Sequence, residues 1–251
     1  MRHLRSIIIA IAAFAVFLPG CVMVDSGVGT DSGRDHHGII GSGRLVVIVF
    51  DFRDFNRIYL SQSFKATVRR SNSYSVRVEV DDNIEQYLVA HQSGNAISIG
   101  LEDNSYENTT MNVTIETPDV SYIEASGAAS IQFDAVTLSH PLEITGSGAC
   151  SINGNLVTSE LKLNLTGSSS VALTGSSSSL DVYGTGATQL SLFDFPVRSC
   201  KAVLTGGSLS NVRVSEYLEV NLTGGSVFRY KGDPPTRILN AIGGSVIQKV
   251  G

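Results

Sequence analysis

The chain has 251 residues and a formal net charge of −5, from 18 Lys and Arg against 23 Asp and Glu. Charged residues are 16% of the chain where about 25% is usual, and no cluster of Lys and Arg offers the basic surface of a nucleic-acid binder. A hydrophobic share of 42% suffices for a packed core, which excludes a disordered acidic tail.

Residues 1–20 read as a lipoprotein signal peptide. Arg2 and Arg5 form a positive start, and Ile7 to Leu18 is an apolar run of 12 residues. A spanning helix needs about 20 residues, so the run is the core of an export signal. It ends in Leu18-Pro19-Gly20-Cys21, which resembles the bacterial lipobox, where a small residue precedes the Cys that takes the lipid. Cleavage before Cys21 removes Arg2 and Arg5 and takes the charge from −5 to −7. Each buried acyl CH₂ contributes about 0.8 kcal/mol, so two or three chains on Cys21 hold a protein stably on a membrane. The lipid-bearing membrane expected is the outer one.

Residues 21–42 are rich in Gly, Ser and Asp and show no periodicity, which predicts a flexible tether. His36 and His37 lie inside it. Two adjacent His in a floppy segment have no fixed geometry for a metal and read as solvated.

Residues 43–117 form an atypical, strand-rich N-terminal part. Leu45–Phe52, Phe64–Val68, Tyr74–Val80, Tyr87–His91, Ala96–Leu101 and Met111–Thr117 are its predicted strands. Asp81-Asp82-Asn83 and Glu102-Asp103-Asn104-Ser105 carry carboxylates that could face Ca²⁺. Neither has the spacing of an EF-hand or a Gly-rich nonapeptide, so both read as turns.

Residues 118–251 are a repeat. Ser126-Gly127, Ser147-Gly148, Thr166-Gly167, Thr185-Gly186, Thr205-Gly206, Thr223-Gly224 and Ile242-Gly243 recur with glycine intervals of 21, 19, 19, 20, 18 and 19. Four positions before each Gly stand Ile123, Ile144, Leu163, Val182, Ala202, Val220 and Leu239, an apolar column that alternation turns inward. A unit this short, with no helical period and Gly at its junctions, fits one turn of a parallel β-solenoid. Gly at each corner supplies positive φ. Five positions before each Gly stand Tyr122, Glu143, Lys162, Asp181, Lys201, Glu219 and Ile238. From Glu143 to Glu219 the signs alternate, which predicts a structural charge ladder. Terminal units of solenoids act as caps, and 43–117 suits that role.

Phe50-Asp51-Phe52, Phe55-Asn56-Arg57-Ile58, the Val78–Ile84 stretch and the Ser/Thr-Gly units together resemble the bacterial family described as "putative auto-transporter adhesin, head GIN domain". The resemblance spans about residues 43–250. It implies an all-β, right-handed parallel β-solenoid resembling a β-helix, secreted or attached to the envelope, and an adhesive role. It supplies no catalytic residue.

Cys150 and Cys200 fall on different faces, more than two turns apart. At about 4.8 Å per turn that exceeds the roughly 7 Å Cα limit for a disulfide, so both read as small core residues. His91 and His140 are the only His of the body and read as solvated turn residues. No nucleophile-elbow, zinc-protease or phosphate-loop motif occurs, and no cofactor or metal is expected. Two functions remain. One is a lipid-anchored, non-catalytic module binding surface polysaccharide or an envelope protein. The other is a polysaccharide lyase or hydrolase on a β-helix scaffold. The last repeat, Ile238 to Val250, leaves an uncovered strand edge, which predicts that the protein either associates through its C-terminal turn or places that turn against an envelope partner.

Overall fold

Alternation decides the architecture. In Leu161-Lys162-Leu163-Asn164-Leu165 the three Leu side chains share one side of the strand and are buried, while Lys162 and Asn164 face out. A strand with one apolar side needs a second sheet to cover it. The computed structural model, which describes residues 38–251, closes the chain on itself in successive turns to supply that cover. The signal segment, Cys21, His36 and His37 lie outside the described residues.

Each rung has a lead-in strand before the corner Gly and a lead-out strand after it. Successive lead-in strands pair in parallel, Ile144 with Leu163, Val182, Ala202 and Val220 in turn. Lead-out strands pair likewise, Ile131 with Ile152, Val171 and Leu190. Between two corners the chain often stays extended, so Ser151–Gly167, Ser170–Gly186, Gln189–Gly206 and Leu209–Gly224 are each a single bent strand. The second bend carries Gly154 and Gly175 at φ of 117° and 114°, and pairing slips there between Phe133 and Val136. The two sheets enclose one apolar core that includes Phe64, Phe133, Phe195 and Phe228. Ile123 to Val220 of the inward column are buried as well. Leu239 departs from that column at 43% exposure, because no further rung covers it among the described residues.

Residues 43–117 are more regular than a cap. Arg57–Leu60 is a strand that the sequence reading left unassigned, and with Lys65–Arg70 it forms a parallel rung. That rung pairs with 122–134 on one side and with 96–99 and 112–117 on the other. Stack order therefore departs from chain order: the chain leaves this rung, builds the outer one, and returns. Leu45–Phe50, Ser75–Asp81 and Leu88–Ser93 close the end through antiparallel pairs. The predicted strands at 45–52, 64–68 and 87–91 shift accordingly to Leu45–Phe50, Lys65–Arg70 and Leu88–Ser93.

The end of the segment read as tether is ordered. Ile39–Ile40 pairs with Tyr106–Glu107, and the buried Asp81 carboxylate accepts from Gly43 N at 2.7 Å and Thr110 N at 2.6 Å. Ser42 Oγ donates to Asp82 at 2.6 Å and Asn83 Nδ2 to Ile40 O at 2.8 Å. The acidic turn fixes the point where the chain enters the solenoid. At the opposite end Thr236–Ala241 and Val246–Lys249 form the last rung, with Ile238, Ile242 and Val246 half exposed.

Candidate binding face

The outward side of the lead-in sheet is one continuous surface. On it Glu143, Lys162, Asp181, Lys201 and Glu219 are successive cross-strand partners. Only the first pair is in direct contact: Lys162 Nζ lies 3.0 Å from Glu143 Oε1. That contact holds the Lys162 ammonium above its usual pKa. Asn164 Nδ2 donates to the same carboxylate oxygen at 2.7 Å. Lys201 Nζ instead lies 6.0 Å from the Tyr217 ring centroid, and Tyr217 Oη donates to Glu219 at 2.7 Å.

Towards the N-terminal end the column continues through Tyr122 and Arg57. Arg57 Cζ sits 4.1 Å from the Tyr122 ring centroid, a cation–π distance. The Tyr59 and Tyr122 rings are 5.6 Å apart. Arg57 Nη2 donates to Tyr59 Oη at 3.1 Å, and Tyr122 Oη donates to Glu124 Oε2 at 2.8 Å. Burial pushes the Tyr122 phenol above its ordinary pKa.

One transverse row crosses four strands here: His91 opposite Ser98, Ser98 opposite Tyr59, Tyr59 opposite Glu124. Ser98, Gly100 and Ser61 are small, so the surface dips between His91 and Val89 on one side and Tyr59 and Glu124 on the other. The dip is an open cavity of about 310 Å³. His91 is thus a wall of this cavity. In the sequence His91 stands alone, although Ile58 stands four before Gln62 as Ile123 does before Gly127, which aligns Tyr59 with Glu124.

The corner glycines form the surface's edge. Gly148, Gly186, Gly206 and Gly224 have φ of 91°, 106°, 107° and 98°, and Gln62 at φ 56° takes the same place in the 57–70 rung. Ser126, Ser147, Thr166, Thr185, Thr205 and Thr223 run beside them as an outward hydroxyl column. Two residues inside each Gly runs a second column, Cys150, Ser169, Thr188, Ser208 and Ser226, all buried. Thr188 Oγ1 donates to Ser208 Oγ at 2.8 Å, and Ser226 Oγ to Gly206 O at 2.9 Å, so these hydroxyls satisfy the turn from within.

Cys150 and Cys200 are free and buried, and burial pushes the Cys200 thiol to about 12. Neither is a thiolate nucleophile at neutral pH. His140 is not a bare turn residue: its Nε2 contacts the Asp119 carboxylate and its Nδ1 faces Pro141 O at 2.9 Å. The Pro141 carbonyl and then Asp119 raise its pKa.

Stacked parallel rungs, an unbroken outer face and aligned corner glycines define a parallel β-solenoid. The family model described as "Putative auto-transporter adhesin, head GIN domain" matches residues 54–234, and the chain belongs to that family. A putative adhesin from Bacteroides fragilis superposes with a TM-score of 0.77 at 19% identity, over 85% of this chain and 100% of that one. A structure described as a putative lipid binding protein from Parabacteroides distasonis gives 0.67 at 21%, over 85% and 99%. A putative adhesin from Parabacteroides merdae gives 0.61 at 19%, also over 85% and 99%. At these identities the likeness is one of fold. None of the curated proteins matches the sequence.

Proposed function

We propose that the chain is a non-catalytic binding module of the bacterial envelope, held on the outer membrane by lipid on Cys21. The carrying observation is the charge pattern of the lead-in face. Its column carboxylates alternate with lysines along the stack, so the two that line one cavity, Glu143 and Asp181, have Lys162 between them. Glycosidic hydrolysis needs two carboxyl groups about 5–10 Å apart on either side of the scissile bond. A face repeated at about 4.8 Å per rung instead presents many equivalent weak contacts to an extended polymer, which add by avidity. Family membership supports an adhesive role, and the Leu18-Pro19-Gly20-Cys21 motif supports the anchor.

The experiment compares cells lacking the gene with cells producing wild type or Cys21→Ser, on surfaces coated with envelope polysaccharide. Wild type restores adherence. Cys21→Ser leaves the lipid-labelled fraction and does not restore it. Equal adherence with and without the protein contradicts the binding role. Unchanged labelling and fractionation of Cys21→Ser contradicts the anchor.

A further inference from the structure

The cavity among Tyr59, His91, Ser98 and Glu124 has unused hydrogen-bonding capacity of a particular kind. Tyr59 Oη accepts from Arg57 at 3.1 Å and 3.3 Å, and guanidinium can only donate. The phenol's own proton has no acceptor among the described residues. Glu124 receives the Tyr122 hydroxyl on Oε2, and its Oε1 has no partner among them. Ser126 Oγ donates to Leu60 O at 3.4 Å, which leaves its lone pairs open to the cavity. One face thus offers a donor, a carboxylate acceptor and a hydroxyl acceptor, the first two oriented by neighbouring side chains and the third by the Leu60 carbonyl.

Ligand chemistry follows from that set. A phosphate, sulfate or carboxylate can only accept, and it meets the Glu124 charge. An ammonium can only donate, so it leaves the Tyr59 proton unused and faces Arg57. An alcohol does both: it accepts from Tyr59 and donates to Glu124 or Ser126. Two neighbouring hydroxyls on one ring use the whole set. Val89, 42% exposed, and the Tyr59 ring border the same cavity and supply apolar contact for the C–H face of such a ring. The volume of about 310 Å³ lies at the small end of ligand sites, room for one ring rather than several.

We propose that this cavity is a subsite for one neutral pyranose unit of a surface glycan. The proposal rests on the binding role argued above and names its ligand class. Two features of the stack build the site. Rung 57–70 inserts beside 122–127, which brings Tyr59 next to Glu124. The antiparallel strand Leu88–Ser93 brings His91 and Val89 in as the far wall.

The test uses the purified protein with methyl glycosides of glucose, mannose and galactose. Glucuronate and glucosamine are the anionic and cationic counterparts. Amide signals of Tyr59, Ser98 and Glu124 are followed by NMR through each titration. At least one neutral glycoside should shift them saturably, at least about tenfold more tightly than either charged sugar. Tyr59→Phe removes the donor, together with the acceptor that Arg57 uses, and should weaken binding up to about tenfold, the worth of one hydrogen bond. Glu124→Ala should do the same, while Thr205→Ala, four rungs from Glu124 on the same face, should change nothing. Unchanged amide dispersion shows that each variant is folded. The proposal is overturned by no saturable shift with any neutral glycoside, by tighter binding of a charged sugar, or by wild-type affinity in Tyr59→Phe. Adherence that persists without sugar binding defeats this site and leaves the binding role intact. Sugar binding without adherence does the reverse.

Discussion

A Cβ on Gly186 would stand 2.5 Å from the carbonyl oxygen of Gly167, one rung away. The contact is with backbone, so no side chain can swing aside. Gly186 also sits at φ 106°, which L residues rarely adopt. Gly186→Ala should therefore cost at least about 2 kcal/mol, read as a lower urea midpoint. Gly207 has no heavy atom within 4 Å of its would-be Cβ. Gly207→Ala should stay within about 0.5 kcal/mol of wild type. Equal effects at the two positions would mean that the corner is not stacked.

Asp181 lies between Lys162 and Lys201 in register. Asp181→Lys places three like charges in one column, and its melting temperature should fall. The fall should shrink as salt screens the repulsion. A loss independent of ionic strength would place its cause elsewhere.

His140 should couple stability to pH. Its folded pKa is raised above 6.5 by the Pro141 carbonyl and by Asp119, against smaller opposing effects of burial and of Arg70. The protonated form is therefore favoured in the fold. The contribution is complete below the ordinary imidazole pKa and is lost as pH rises through the raised value. The pair is partly exposed, which holds the effect under about 1 kcal/mol. His140→Gln should lower the melting temperature at about pH 5 and leave it unchanged at about pH 8. The same decrement at both pH values would contradict the pairing.

Ser208 and Ser210 are both buried yet should respond oppositely to truncation. Ser208 Oγ accepts from Thr188 at 2.8 Å and donates to Gly186 O at 3.3 Å. Ser210 stands in a core column between Leu190 and Phe228, and its hydroxyl has no partner among the described residues. Ser210→Ala removes an unsatisfied buried group and should stabilise by about 1 kcal/mol, whereas Ser208→Ala should destabilise by a similar amount. Melting curves of the two variants decide the signs.

The rung length, inward column and corner glycines were legible because each repeats at nearly constant spacing. The pairing of Glu143 with Lys162 follows from the same spacing. The cavity was not legible. Its walls come from rungs whose stack order differs from their chain order, so Tyr59 and Glu124 meet across a separation of 65 positions in the sequence. Gln62 stands where other rungs have Gly, which hid rung 57–70 from a search keyed on Gly. The inner hydroxyl column was present in the sequence two residues after each corner Gly from Gly167 onward. Its meaning lay in the backbone carbonyls it serves, which only folding brings near. Asp81 likewise read as a loose turn, because the backbone N–H groups of Gly43 and Thr110 that it holds are remote in sequence.

The central claim is that this face binds without cutting. Purified protein incubated with envelope polysaccharides and followed for both retention and polymer length tests it most directly. The account predicts that at least one polysaccharide is retained while its length distribution stays unchanged. Shortening of the polymer, with new reducing ends or unsaturated termini, would contradict it and assign the solenoid to polysaccharide degradation.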